Sequence, residues 1–431
     1  MVVTGRLVAV AAAAAAAVAL LAPSWIGVLA ATVLILVLAV TDRLLAARPD
    51  EVALHRPELS VLRLGASVEV ELSVTDTGQR RLRGLIWDDW PASAGATERE
   101  HRISVPVSGR IRLYTTLTPA YRGDRAAGPV TLRLFGPLGL AGHQFHRTVP
   151  ARVRALPPFR SERLLAAKVK RLQHLEGRNL ADLRGQGTEF DSFREYVPGD
   201  DVRTIDWRAT ARATDVLVRT WRPERNRQVL MLLDTGRISA GRVGEGTRLE
   251  TAIEAALLLG SLAAAGGDMV GLLAYDREVR AEVRTGIGRG IQPKLMHALA
   301  GVTPALVDTD AEGLVRAAIQ RARRRGLIVW FTSLDGAAVT ENLLPVLPVL
   351  AERHRVLIVS VTDPGIAAAA AERGNLAELY RAAAAESRIA EQAVLQESLR
   401  RRGIAVVAAA GADLPAALAD EYLELKQSGA L

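Results

Sequence analysis

Val229-Leu-Met-Leu-Leu233 is an unbroken apolar run closed by Asp234. A strand buried on both faces has this character, because helices cover a parallel sheet above and below. The chain beyond Gln228 repeats the theme, alternating short apolar runs with longer segments of helical periodicity. Arg248 to Ala265 reads as a helix, Met269 to Tyr275 as a strand and Glu278 to Val283 as an edge hairpin strand. Helices are expected near Ile291 to Ala300 and Ala311 to Arg324, then a strand over Leu327 to Phe331. Helix Glu341 to Glu352 leads into strand Arg355 to Val361, followed by an Ala-rich helical stretch from Ile366 to Arg402. Strand Ile404 to Val407 and helix Leu414 to Leu425 finish the series. Such alternation gives an α/β doubly wound sheet, and ligands of such sheets bind at the carboxyl ends of the strands.

Just upstream stands Gly185 to Trp221, GQGTEFDSFREYVPGDDVRTIDWRATARATDVLVRTW, the densest mixture of charge, aromatics and turn residues in the chain. In Pro198-Gly199 the proline presets φ and the glycine supplies φ > 0, which makes a tight turn. Asp200 or Asp201 is expected to cap a helix over Val202 to Ala213. Between Arg184 and Arg222 there are seven Arg and seven Asp or Glu. A nucleic-acid groove would be net positive, so this neutral segment reads as a self-satisfying ion-pair network. It either welds two domains together or faces a protein partner. Substituting Asp206 or Arg208 should destabilise either arrangement.

Residues 51 to about 156 alternate apolar and polar, most clearly over Ser67 to Val74, Ile103 to Val107, Arg110 to Leu117 and Val130 to Phe135. This predicts an antiparallel β-sandwich over residues 51–157. His143 and His146 lack further ligand partners and read as surface residues. Pro157-Pro158 ends the sandwich, and Ser161 can cap a helix to about Glu176 with Leu165, Val169 and Leu172 on one stripe. Arg163, Lys168, Lys170 and Arg171 make that helix basic. It either rests on anionic lipid or packs on its neighbours with its basic residues solvated.

Leu7 to Ala22 and Trp25 to Thr41 are uncharged runs separated by Pro23-Ser24. Each is slightly short of the ~20 residues that span a bilayer, a gap that thinning and interfacial anchoring can close. We expect a two-helix transmembrane hairpin over residues 1–47, in preference to a cleaved signal peptide. Arg6, Arg43 and Arg48 flank it, so the positive-inside rule places the later domains in the cytoplasm. The chain is thus expected to be a multi-pass cell-membrane protein. Its 431 residues allow two or three domains. The absence of cysteine excludes disulfides and thiolate metal sites. The net charge of +8 rests on arginine, which is spread along the chain, and this argues against a nucleic-acid partner.

The run G-x-G-x-E-F-x-x-x-R-x-Y-x-P-G-D-D-x-R-x-I-D-W-x-x-x-A-R resembles the signature of the bacterial "domain of unknown function 58" family. It is carried here by Gly185, Gly187, Glu189, Phe190, Arg194, Tyr196, Pro198, Gly199, Asp200, Asp201, Arg203, Ile205, Asp206, Trp207, Ala211 and Arg212. Tyr121-Arg-Gly and Gly136-Pro-Leu-Gly-Leu140 resemble turns of the same family's β-region. The resemblance covers nearly the whole chain. It implies a connector over residues 158–224 and a von Willebrand factor A-like (Rossmann-like) domain over residues 225–431. It also implies a partner, an AAA+ ATPase of the MoxR type.

Asp234 follows the first strand of the α/β region, Thr332-Ser333-Leu334-Asp335-Gly336 follows a central one, and Thr309 precedes a helix between Asp308 and Asp310. The arrangement resembles the metal-ion-dependent adhesion site of von Willebrand A domains, which implies Mg²⁺ on Asp234, Thr309 and Asp335. Mg²⁺ takes oxygen ligands and retains waters. Here the serine positions of that site fall on Gly236 and Ile238, Ser239 is out of register, and Arg237 adds positive charge. The alternative is that Asp234 and Asp335 hold loop amides and pair with arginine. No P-loop, His-Glu-x-x-His or Gly-x-Ser-x-Gly motif is present, and Gly286-Ile-Gly288-Arg-Gly290 lacks dinucleotide spacing. No catalytic residue is assigned. The expected function is a non-enzymatic, membrane-anchored interaction adaptor. It would work with the MoxR-type ATPase in assembly or remodelling of a client such as an envelope complex. A metal-dependent hydrolase using Asp234 and Asp335, helped by Asp308 and Asp310, and a purely structural membrane scaffold are the alternatives.

Overall fold

The computed structural model describes all residues except 1, 22, 183–188, 199, 223–226, 245, 289, 335–338 and 430–431, and leaves undescribed the side chains of 176–182, 189–191, 220–222 and 340. Two compact units divide the chain, Met1–Pro158 and Phe159–Leu431.

The first unit opens with two apolar helices, Gly5–Leu21 and Trp25–Leu45. Ser24 starts the second by accepting the amide of Gly27 at 3.1 Å. By length and composition this second helix can cross a bilayer, whereas Gly5–Leu21 is shorter. It runs past Thr41, where the apolar pattern ends, to Leu45. The reason is that Asp42 is buried rather than solvated. Its carboxylate accepts the backbone amides of Leu138, Leu140 and Ala141 at 2.8, 2.7 and 3.0 Å.

Behind the helices, a five-stranded and a four-stranded antiparallel sheet share one core. Leu72 and Val74 of strand Val68–Asp76 meet Leu82, Ile86, Ile103 and Leu132 from the other sheet. Alternation at period two is what turns these side chains inward together. A third sheet joins Leu59–Arg63, Arg152–Leu156 and Gly123–Ala126, with a parallel pairing between the first two. One polar cluster is buried with these sheets. Arg56 and Asp88 form a fully buried ion pair. Asp88 also accepts from Thr115 Oγ1 at 2.7 Å and Trp90 Nε1 at 3.1 Å. Arg56 reaches the carbonyls of Val149 and Gly128 at 3.1 and 3.3 Å. His146 donates to or accepts from Thr131 at 2.9 Å.

The second unit holds a six-stranded mixed sheet. In spatial order its strands are Val279–Gly286, Met269–Tyr275, Gln228–Asp234, Gly326–Phe331, Arg355–Thr362 and Ala405–Ala410. All neighbours are parallel except Val279–Gly286, which pairs antiparallel at the edge. Every residue of Gln228–Asp234 is buried. Helix Arg248–Ala265 is capped by Thr247, whose hydroxyl accepts the amide of Glu250 at 3.3 Å.

Three expected helices differ. Glu341 to Glu352 is a π-helical turn, Val339–Leu343, and a short helix, Leu347–Ala351. Pro345 between them cannot donate an amide and clashes with the preceding turn. The stretch from Ile366 to Arg402 is two helices, Pro364–Ala370 and Leu376–Arg401. They part at Gly374, and Asn375 restarts the chain by accepting the amide of Glu378 at 3.0 Å. The helix after Pro158 spans Glu162–Asp182 without a side-chain cap from Ser161. Instead, the Ser161 amide donates to Glu254 at 2.8 Å. Lys168 and Arg171 both bond Asp420, at 2.6 and 2.8 Å, and Leu172 is buried, so this basic helix packs on its neighbours.

Candidate functional site

The signature segment forms its own antiparallel hairpin, Glu189–Glu195 against Leu217–Arg222. The helix expected over Val202 to Ala213 is two shorter pieces, the 3₁₀ turn Val202–Thr204 and the helix Trp207–Thr210. They are split because Ile205 bridges to Val218 of the hairpin. Each piece has its own aspartate cap. Asp201 accepts the amide of Arg203 at 3.0 Å, and Asp206 accepts those of Arg208 and Ala209, both at 2.9 Å. Asp206 also accepts Arg219 Nε at 2.6 Å from the facing strand. Asp200 takes a two-pronged bond from Arg194, at 2.5 and 2.7 Å, and the amide of Val197 at 3.0 Å. Arg194 holds the Asp200 carboxyl below its ordinary range. The Ala209 amide, then Arg219, does the same for Asp206.

Among the described residues the expected network is therefore two ion pairs that pin one hairpin. Asp206 is buried at its centre, but the exposed Arg208 makes no side-chain ion pair among the described residues. Replacing Arg208 should therefore cost little stability, contrary to the expectation from the sequence, whereas replacing Asp206 should cost more. The charges of Arg203 and Arg212 are likewise solvated. Gly185, Gly187 and Gly199 lie outside the described residues, as do the side chains of Glu189 and Phe190. Beside these two ion pairs the segment turns apolar groups outward. Phe193, Val197, Val202 and Trp207 are 44, 56, 62 and 68 % exposed.

The second cluster lies at the carboxyl ends of Gln228–Asp234 and Gly326–Phe331, which are parallel neighbours. Asp234 accepts Thr309 Oγ1 at 2.5 Å, the Gly236 amide at 2.8 Å and Thr332 Oγ1 at 3.0 Å. The structure thus brings Asp234 and Thr309 together, while Asp335 lies outside the described residues. Thr309 reaches Asp234 because Gly236 has no side chain. A Cβ there would strike Thr309 Oγ1 and the Val307 carbonyl. Where the adhesion-site pattern places a serine, this chain therefore closes the gap with a threonine hydroxyl. Ser239 turns back to the Gly236 carbonyl at 2.7 Å, and Arg237 pairs with Asp308 at 2.9 Å. Asp310 caps the helix Ala311–Arg321 through the Gly313 amide at 2.9 Å.

A small cavity of about 20 Å³ beside Asp234 is lined by Ser239, Arg248 and Ser333 among others, room for about one water. Arg248 donates to Ser333 Oγ there at 2.8 Å. Burial raises the Asp234 pKa above the ordinary carboxylate range, against the three hydrogen bonds it accepts. A divalent cation needs free oxygen ligands. Both oxygens of Asp234 are engaged by protein donors, and no cluster of three acids stands among the described residues. The described donor set fits a hydrogen-bonded loop anchor better than a metal site. It holds loop groups through hydroxyls and an amide, with no arginine on Asp234.

Asp276 was not singled out by the sequence. It directly follows the adjacent strand, whose last residue Tyr275 lies opposite Asp234, and that position at a strand's carboxyl end is the available signal. It accepts Arg280 Nε at 2.7 Å, Thr235 Oγ1 at 3.1 Å and the amides of Arg277 and Glu278 at 2.6 and 3.3 Å. Burial pushes its pKa up, but Arg280 and these amides overcome it and leave the carboxyl below its ordinary value.

Asp234→Asn should raise the melting temperature near neutral pH by a few degrees, about 1 kcal/mol. The sign follows from the raised pKa. The fold accommodates the protonated carboxyl, so this stabilisation is present below the ordinary carboxylate pKa and is lost as pH rises through the raised value. Asparagine does not titrate, and its advantage should shrink as pH falls towards about 4. Melting both proteins across that range, with and without Mg²⁺, checks this. A Mg²⁺-dependent rise in the wild type, abolished by Asp234→Asn, would restore the metal reading.

Residues 192–374 match a family model described as "Protein of unknown function DUF58". The matched span contains most of the hairpin and both Asp234 and Thr309. Uncharacterised proteins of Mycobacterium bovis and of two Mycobacterium tuberculosis strains are each 30% identical over 192 residues, 44% of this chain and 60% of theirs. The chain spans about 60% of the length of these curated relatives. Among solved structures, domains 4 and 5 of the S-layer protein SbsC align over 26% of this chain and 53% of that one, at 11% identity and a TM-score of 0.15. A similarity that low carries no argument about fold.

Proposed function

We propose that this chain is a membrane-anchored protein-interaction adaptor whose contact surface is the signature hairpin. The observation that carries this reading is the exposure of Phe193, Val197, Val202 and Trp207 within one short segment that two ion pairs hold in shape. Exposed apolar side chains that form a contiguous patch mark interaction sites, and tryptophan is enriched among the residues that anchor interfaces. We read the six-stranded sheet as von Willebrand A-like and the two apolar helices as a hairpin anchor. Arg6, Arg43 and Arg48 would then keep the sheets of both units on the cytoplasmic side. The partner class, an AAA+ ATPase of the MoxR type acting on a client that includes envelope proteins, comes from the family resemblance. A hydrolase has less support, since Asp308 and Asp310 are engaged with Arg237 and the Gly313 amide rather than with Asp234. A scaffold alone leaves the apolar hairpin surface without a use.

The test is affinity purification of the detergent-solubilised chain with and without Mg²⁺ and a non-hydrolysable ATP analogue, read by mass spectrometry. Nucleotide-dependent recovery of an AAA+ ATPase is expected. Trp207→Ala should reduce it by about tenfold or more. Recovery of envelope proteins alone, indifferent to nucleotide and to Trp207, would replace the adaptor by a scaffold.

A further inference from the structure

Arginine that is dispersed in the sequence is gathered by the fold. Strands Gly326–Phe331, Arg355–Thr362 and Ala405–Ala410 are parallel neighbours, with Leu327 opposite Arg355 and Leu357 opposite Ala405. Each is approached through an arginine run: Arg323-Arg324-Arg325, Arg353-His354-Arg355 and Arg400-Arg401-Arg402. Parallel strands share a direction, so the three runs meet at one edge of the sheet, opposite Asp234, with strands about 5 Å apart.

Few carboxylates oppose them. Glu397 pairs with Arg401 at 3.1 Å, Glu421 faces Arg355 and Arg400, and Glu352 lies beside Arg353. Arg323, Arg324, Arg325 and Arg353 make no ion pair and no side-chain hydrogen bond among the described residues. These four and His354, with Glu352 as the one acidic side chain, line a cavity of about 320 Å³ between the first two runs. His354 is only 6 % exposed, yet its Nδ1 has no hydrogen-bond partner. Buried polar atoms are rarely left so. Burial, then Arg353 and Arg325, hold the His354 pKa below its ordinary value. An anion in the cavity would relieve that field.

A phosphate supplies the missing partners: oxygens for guanidinium forks and an acceptor for an imidazole N–H. The source is narrowed by two observations. The segments 319–325, 349–355 and 393–404, which end helices and lead into the strands, contain no Phe, Tyr or Trp on which a base could stack. The same chain carries, from Trp25, an apolar helix long enough to cross a bilayer, where phosphodiester headgroups are concentrated. An exposed valine, Val394, also shares a surface hollow with Arg401 and Arg402, as a lipid contact would require.

We propose that this edge binds the phosphate of an anionic phospholipid headgroup, with Arg323, Arg324, Arg325 and Arg353 as its ligands and His354 as the buried donor. The site is independent of the adaptor reading and rests on membrane anchoring only for the source of the phosphate.

The test is titration of the full-length chain, in neutral detergent, with dioctanoyl phosphatidylglycerol, dioctanoyl phosphatidylcholine and inorganic phosphate, read by microscale thermophoresis. Saturable binding of phosphatidylglycerol is expected, about tenfold tighter than either of the others. Arg324→Gln with Arg353→Gln should weaken it about tenfold, Arg324→Gln alone by less, and the distant Arg208→Gln not at all. These side chains are exposed, so melting temperatures should match the wild type. Equal binding of phosphatidylcholine or inorganic phosphate overturns the proposal, as does unchanged binding by the double variant. Displacement of the lipid by a short single-stranded oligonucleotide overturns it in favour of nucleic acid.

Discussion

Asp88→Ala should destabilise the unit Met1–Pro158 by about 3–5 kcal/mol, the usual cost of stripping one partner from a buried ion pair. Three groups lose their acceptor at once: the guanidinium of Arg56, the indole of Trp90 and the hydroxyl of Thr115. Arg56 cannot turn to water, because its side chain is fully buried. Burial already draws its pKa down to about 10, still well protonated near neutrality. The charge would remain without a direct ion-pair partner among the described residues, held by the carbonyls of Val149 and Gly128, the Trp90 ring and the nearby charge of Asp89. Guanidinium denaturation of the full chain in detergent, followed by near-ultraviolet circular dichroism, measures the loss. Arg56→Met combined with Asp88→Leu should lose less than the sum of the two single changes by at least about 1 kcal/mol. Recovery would be partial, since Trp90 and Thr115 still lack an acceptor. A loss below about 1 kcal/mol for Asp88→Ala, or strict additivity, would show that the pair is not buried as described.

Asp42→Ala is the second large effect, about 3–4 kcal/mol. One carboxylate at the end of an apolar helix accepts three backbone amides from residues 138–141. Those amides have no side chain of their own to replace it, and hydrogen bonds to a charged acceptor are the stronger kind. Gly136 makes the contact possible, because a Cβ there would meet the carbonyl and carboxyl of Asp42. Hydrogen exchange should therefore accelerate at Leu138, Leu140 and Ala141 in Asp42→Ala. Asp42→Asn should fall between, as one carboxamide oxygen cannot serve both sides. Unchanged protection at all three amides would rule out Asp42 as the joint between this helix and the strands behind it.

Much of the chain was legible because helix and strand periodicity are local. Gln228–Asp234, Arg248–Ala265, Met269–Tyr275 and Ile291–Ala300 are where their apolar patterns place them. Two helices there are broken where punctuation overrides periodicity. Pro345 and Gly374-Asn375 were visible breaks inside runs of helical character. In the signature segment, Pro198 and the acidic caps were readable, but the split at Ile205 was not. It depends on Val218, which is distant in sequence and adjacent in the hairpin.

The order of elements, the apolar opening, the buried central strand and the aspartate and threonines at strand ends are local features, each following from residue types within a turn or two of one another. What those groups touch is set by the fold. Gly236 admits Thr309 to Asp234, Asp42 finds amides near residue 140, Asp88 meets Arg56, and three separate arginine runs arrive at one sheet edge. The partners in each case lie tens of residues apart. Their meeting depends on strand order and register, which an apolar run leaves open because any buried parallel neighbour satisfies its backbone equally well.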